Sequence, residues 1–115
     1  MSGTVERARE LLRERRREAE RTVAARASDL SGVAAARGDA TADDEHDPEG
    51  ATLSGEWSRL TGLSVAARHE LSDIDAALAR IDAGTYGVCE VCGEPIPEGR
   101  LLARPTATRC VRCAV

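Results

Sequence analysis

The sequence predicts a mainly α-helical protein: a long antiparallel two-helix coiled-coil hairpin followed by a small C-terminal module built on four cysteines. Three observations predict it. Two long stretches carry apolar side chains at steps of three and four, the spacing of one helical face. A short acidic connection separates them. From Gly84 onward the helical pattern stops, and Gly, Pro and short apolar pieces surround two Cys-x-x-Cys pairs.

Residues 4–38 read as the first helix. Val5, Ala8, Leu12, Ala19, Val23, Ala27, Leu30 and Ala34 follow the helical period, with Arg16 as the one polar interruption. Thr4 is the expected N-cap, and Arg37-Gly38 the expected stop. On the other faces Arg and Glu alternate, as in Glu6/Arg9/Glu10/Arg13/Glu14, which suits a solvated helix with i,i+3 and i,i+4 pairs.

Residues 39–51 form the tip. Asp39, Asp43, Asp44, Glu45, Asp47 and Glu49 are acidic, nothing there is basic, and His46 sits among them. Several of these have a local reading. Asp47 before Pro48 is a good N-cap with proline at the first helical position, and Glu49 complements the helix dipole.

Residues 48–83 read as the second helix. Leu53, Trp57, Leu60, Ala67, Leu71, Ile74, Leu78 and Ile81 keep 4-3 spacing, broken only by Ser64. That heptad stripe suits lengthwise packing on a partner helix. The natural partner is the first helix, because a short connection folds two long helices antiparallel. Each spans on the order of 45–50 Å at 1.5 Å per residue. Gly62 lies off the stripe, and Gly84 ends the helix. Trp57 is read as a core anchor and His69 as a surface residue.

Cys89 and Cys92, then Cys110 and Cys113, are the only cysteines, with seventeen residues between the pairs. Each pair sets two thiolates on one tight knuckle, and two knuckles close a tetrahedron of soft ligands, which Zn²⁺ prefers. Gly93 after Cys92 lets the chain turn back without a Cβ clash. Redox dithiols or two disulfides are the alternatives. Four-sulfur coordination leaves no open position for water or substrate, so one structural zinc and no enzymatic role are expected. The expected division is a helical hairpin over 1–83 and a C4-type zinc finger over 84–115.

Composition sets bounds. Trp57 and Tyr86 are the only aromatics, so a chain of 115 residues cannot build a thick core, and metal and long-range helix packing must add stability. All sixteen basic residues are arginine, and the net charge of −4 argues against direct affinity for DNA. No apolar run reaches the roughly 20 residues of a membrane span. Met1-Ser2-Gly3-Thr4-Val5-Glu6-Arg7 leads straight into charged sequence rather than a secretory signal. Thiols spaced for zinc fit a reducing compartment, so a cytoplasmic protein is expected. An intramolecular hairpin implies a monomer, although Ala-rich faces would permit self-association.

Tyr86-Gly87-Val88-Cys89-Glu90-Val91-Cys92-Gly93 with Ile96, then Arg100-Leu101-Leu102-Ala103-Arg104-Pro105-Thr106-Ala107 and Cys110-Val111-Arg112-Cys113, resembles the zinc finger of the DksA/TraR family. The likeness covers about the last thirty residues. Its Arg-Leu-x-Ala-Arg-Pro stretch is not needed to bind zinc, which makes the likeness specific. The resemblance implies a regulator that binds bacterial RNA polymerase without needing DNA, its coiled coil entering the secondary channel. It also implies that acidic tip residues, here Asp44, Asp47 and Glu49, approach the catalytic centre, and that some members act with ppGpp. Carboxylates brought to a Mg²⁺ site would perturb it strongly.

Two departures accompany the likeness. The family's tip motif is Asp-x-x-Asp-x-Ala. Asp44-Glu45-His46-Asp47 supplies its first part, but Glu49 stands where Ala would fall. Counting back from the cysteines instead sets His46 at the first Asp and Glu49-Gly50-Ala51 on the second half. Long members also carry a helix after the finger that shares in the ppGpp surface, and this sequence has none, so full ppGpp synergy is not expected. Two other readings stay open. One is a zinc-stabilised interaction module with another partner, the other an accessory factor that stimulates transcript cleavage. A DNA-binding zinc ribbon is the weakest, because Glu90, Glu94 and Glu98 offset most of Arg100, Arg104, Arg109 and Arg112.

Overall fold

Helices α1 (Ser2–Thr41), α2 (Pro48–Ala83) and α3 (Glu98–Ala103) make up the helical structure of the described residues. The computed structural model describes residues 2–41 and 48–114, with side chains at 3–36 and 54–114. No named strand occurs among the described residues, only an isolated antiparallel bridge between Val88 and Pro95. None of the described helices is long and apolar enough to cross a membrane.

Helix α2 has the predicted bounds, whereas α1 is longer than 4–38 at both ends. Thr4 is no N-cap: it lies inside the first turns of α1 with its side chain buried. Gly38 does not stop the helix either, which continues to Thr41. A glycine inside a helix costs only about 1 kcal/mol. It ends one when it takes the left-handed conformation, found among the described residues at Gly84, Gly87 and Gly93.

Two compact units divide the chain. One contains residues 1–18 and 70–115, the other Ala19–His69. In the first, Ala8 and Leu12 of α1 are fully buried, as are Ile74 and Ala77 of α2, with Ile81 close to it. Two ion pairs fix the direction of the helices here. Arg9 Nη1 meets Asp82 Oδ1 at 3.2 Å, and Arg16 Nε meets Asp75 Oδ1 at 2.7 Å. One heptad forward on α1 is one heptad backward on α2, so the helices are antiparallel. Arg16, read as an interruption of the apolar stripe, is therefore a cross-helix partner. Both pairs are partly exposed and contribute at most about 1 kcal/mol each.

In the second unit, Ala19, Leu60, Ser64 and Ala67 are buried and Trp57 is half-buried. The stripe expected on α1 needs a correction here. Ala27 and Ala34 are exposed, whereas Val23 and Leu30 of the stripe are half-buried together with Arg26 and Val33 outside it. The stripe on α2 repeats every seven residues, and a facing helix must keep that 3.5-residue period to stay on the seam. Ala19, Arg26 and Val33 keep it, whereas Ala27 and Ala34 follow the natural drift of a straight helix. The guanidinium of the half-buried Arg26 pairs with Asp29, 3.5 Å away. His69 is exposed, as expected.

Candidate metal centre

Helix α2 ends in a tight reversal that aims the chain at the cysteines. The Thr85 N–H donates to the Arg80 carbonyl at 2.9 Å and the Gly84 N–H to that of Ile81 at 3.1 Å, with Gly84 at φ +76°. Those are the paired bonds of a Schellman stop. Gly87, at φ +87°, then starts a small hairpin. Its carbonyl accepts from the Ile96 N–H at 2.7 Å, and the Cys89 N–H donates to the Glu94 carbonyl at 2.9 Å. Within the hairpin, the Gly93 N–H returns to the Cys89 carbonyl at 3.0 Å, with Gly93 at φ +75°. This is the turn expected after Cys92. The second knuckle repeats the device one residue shorter, from the Cys113 N–H to the Cys110 carbonyl at 3.1 Å.

The four sulfurs lie within 4.8 Å of one another. Cys92 Sγ and Cys110 Sγ, from different knuckles, stand 3.7 Å apart. A tetrahedron with Zn–S bonds of about 2.3 Å has edges of about 3.8 Å, so this spacing is that of two ligands on one zinc. A disulfide would need about 2.05 Å, and all four cysteines are free. Cys89 and Cys110 are buried, Cys113 is half-buried and Cys92 is exposed. The donor set and its closure fit one structural Zn²⁺, the metal whose coordination four thiolates complete.

Electrostatics around the sulfurs favour the same ion. The backbone amides of Cys92 and Cys110, helped by that of Val91, hold the Cys89 thiol down to about 6. The Cys113 amide does the same in direction for Cys110. Cys113 is pushed up to about 12 by its hydrogen bond with Cys110, by burial and by the other two sulfurs. Without a metal, amide dipoles thus favour the thiolate at Cys89 and Cys110, while Cys92 and Cys113 are shifted toward the thiol. A dication removes that conflict by making every thiolate favourable.

The Arg-Leu-x-Ala-Arg-Pro segment holds the knuckles from behind. Leu101 is buried in α3, and its Cδ1 would lie 3.4 Å from a Cβ placed on Gly87. Arg100 Nε–H donates to the Arg109 carbonyl at 2.7 Å. The hydroxyl of Tyr86 donates to the carbonyl of the fully buried Pro105 at 2.8 Å. Arg15 of α1 reaches the Ala103 carbonyl at 3.4 Å. Arg109 pairs with Glu90 at 2.9 Å. The spacing of the cysteines did not reveal these supports. The signal was the presence of Tyr86, Arg100 and Arg109 beside ligands that need no such residues.

Asp44 and Asp47 lie outside the described residues. Glu49 falls in the first turn of α2, and its side chain is outside them as well.

Two long antiparallel helices followed by a four-cysteine knuckle module define a mainly helical zinc-finger protein. Residues 84–115 match the family model described as the prokaryotic dksA/traR C4-type zinc finger. The RNA polymerase-binding transcription factor DksA of Caulobacter vibrioides (strain NA1000 / CB15N) is 57% identical over 60 residues, covering 50% of this chain and 42% of that protein. YteA of Bacillus subtilis (strain 168) is 44% identical over 71 residues, 62% of this chain and 30% of YteA. The chain thus spans less than half the length of either relative. The solved structure of transcription factor DksA2 from Pseudomonas aeruginosa matches with a TM-score of 0.80 at 28% identity, over 96% of this chain and 79% of that one. The finger over 84–115 is thus of the dksA/traR C4 type, and the fold of the chain is similar to that of DksA2.

Proposed function

We propose that this protein is a non-enzymatic regulator of transcription that binds RNA polymerase directly. The observation that carries the reading is the DksA2 match, which extends over 96% of the chain rather than over the finger alone. The finer picture divides the work in two. The helical hairpin over 1–83 enters the secondary channel of the polymerase. The finger over 84–115, with Cys89, Cys92, Cys110 and Cys113 on one zinc, anchors its base. Asp44, Asp47 and Glu49 bring negative charge toward the Mg²⁺ of the active centre, where a few carboxylates change the local field strongly. On this reading the protein works in the cytoplasm as a monomer and needs no DNA contact of its own. Full synergy with ppGpp is not part of this reading.

Competition supplies the test. Purified bacterial core polymerase is titrated with this protein in the presence of a secondary-channel factor, and mutual displacement is expected. The Asp44→Asn, Asp47→Asn double variant should still bind but lose its effect on a promoter with a short-lived open complex. Asn retains most of the capping ability of Asp at position 47, so the change removes charge with little structural disturbance. Absence of binding to core polymerase would sink the reading, whereas binding with unchanged regulation by the double variant would remove only the role of the tip. Faster cleavage of transcripts in backtracked complexes would favour the accessory-factor alternative.

A further inference from the structure

The two knuckles come from segments seventeen residues apart, yet their sulfurs must meet on one tetrahedron. Residues 108 and 109, immediately before Cys110, are tied to the rest of the module at three points. The Glu90 N–H, inside the first knuckle, donates to the Thr108 carbonyl at 2.9 Å. The Glu90 carboxylate accepts from Arg109 Nε–H, also at 2.9 Å. Arg100, in α3, donates its Nε–H to the Arg109 carbonyl at 2.7 Å. The last bond has a particular consequence. The carbonyl of residue 109 and the amide nitrogen of Cys110 belong to one rigid peptide plane. A donor that fixes this carbonyl therefore fixes the plane from which the Cys110 side chain departs.

We propose that Arg100 is a positioning residue for the zinc site, with Glu90 in a supporting role. It holds the 109–110 peptide so that Cys110 already faces the first knuckle, and thereby sets how tightly and how long the metal is kept. Groups that orient metal ligands from outside the coordination shell typically change metal affinity about 10–100-fold when lost. Arg100 does this through a ligand's backbone, so the effect does not depend on charge near the sulfurs. Arg104 provides the control for charge, being an exposed arginine of the same segment.

The experiment uses the full chain loaded with zinc, and with Co²⁺ as a coloured substitute. Transfer of zinc to a chromophoric chelator and the ligand-field bands of the cobalt form are measured for four variants: Arg100→Ala, Arg100→Gln, Arg100→Lys and Arg104→Ala. Arg100→Ala should lose zinc about 10–100-fold more readily and alter the cobalt bands. Arg104→Ala should do neither, and Arg100→Lys, which keeps a donor on a long stem, should recover part of the loss. A purely structural role would lower thermal stability but leave the cobalt bands unmoved, and that result overturns the proposal. Equal effects of Arg100→Ala and Arg104→Ala overturn it too, because charge alone would then be responsible. Should Arg100→Ala fail to fold, Arg100→Gln decides. Transfer rate and bands within twofold of the unsubstituted protein would refute the assignment, and a faster rate with shifted bands would uphold it.

Discussion

Replacing Tyr86 by Phe removes one oxygen from the finger and tests how far zinc binding depends on a single buried hydrogen bond. The ring is retained, so no cavity opens. What disappears is the donor to the Pro105 carbonyl, 2.8 Å away in a buried position. Breaking a bond that leaves a buried acceptor without its partner costs about 1–3 kcal/mol. In small metal modules the binding free energy of the metal is also the free energy of folding. The loss should therefore appear as weaker zinc binding, by about 5- to 150-fold at 25 °C. Competition against a chelator of known affinity at constant pH measures it. Trp57, the only tryptophan, lies in the other unit and reports whether that part is undisturbed. Zinc affinity within twofold of the original would refute the reasoning, because the finger would then close without this clamp.

Other substitutions examine other parts of the chain. Ile74→Ala, at a fully buried seam position, should cost about 2–5 kcal/mol in urea denaturation followed by circular dichroism. Leu60→Asp should be worse still, since it buries an unpaired charge, and an unchanged midpoint for both would place the stripe in solvent. Gly62→Ala and Gly87→Ala should have opposite signs in thermal melts. A Cβ at Gly62 meets nothing within 4 Å and should stabilise α2 by up to about 1 kcal/mol, whereas one at Gly87 would sit at φ +87° against Leu101 and cost about 1–2 kcal/mol. Cys110→Ser should lower zinc content and open residues 84–115 to protease, and equal resistance without metal would argue against coupled folding. Acid should weaken zinc binding more steeply below pH 6. There the Cys89 thiol, held down to about 6, is protonated in the metal-free chain and must give up one more proton on binding; calorimetric titrations in two buffers count it.

Much of the helical part was legible because packing repeats. The stripe from Trp57 to Ile81 marks positions that face a partner helix, and Leu60, Ala67, Ile74 and Ile81 are buried as it implies. Where the sequence misled, a partner's geometry had overridden a local signal. Ala27 and Ala34 fit a lone helix, but a seam with a seven-residue repeat selects Arg26 and Val33. Ala77 lies beside the stripe, where the pattern gives no sign of its complete burial. Thr4 and Gly38 carry real end signals, and continued backbone hydrogen bonding outweighs both. The cysteines were legible for a different reason: the donor set itself prescribes the geometry.

The clamps around the metal explain the remaining blind spot. Arg15, Tyr86 and Arg100 each bond a backbone carbonyl, at Ala103, Pro105 and Arg109 respectively. Every residue has a carbonyl, so the accepting side leaves no mark in the sequence, and only the donors can be seen. A donor without a visible acceptor looks like a surface residue, and in the sequence Arg100 and Arg109 look like parts of a charged surface. The bonds show another use of the same groups. In a module with one tyrosine and few large apolar side chains, polar side chains reaching main-chain oxygens take over part of the positioning that a thicker core would provide. It follows that charge-conserving changes at these donors should disturb the metal site more than charge-removing changes at Arg104, the reverse of what a purely electrostatic surface would produce.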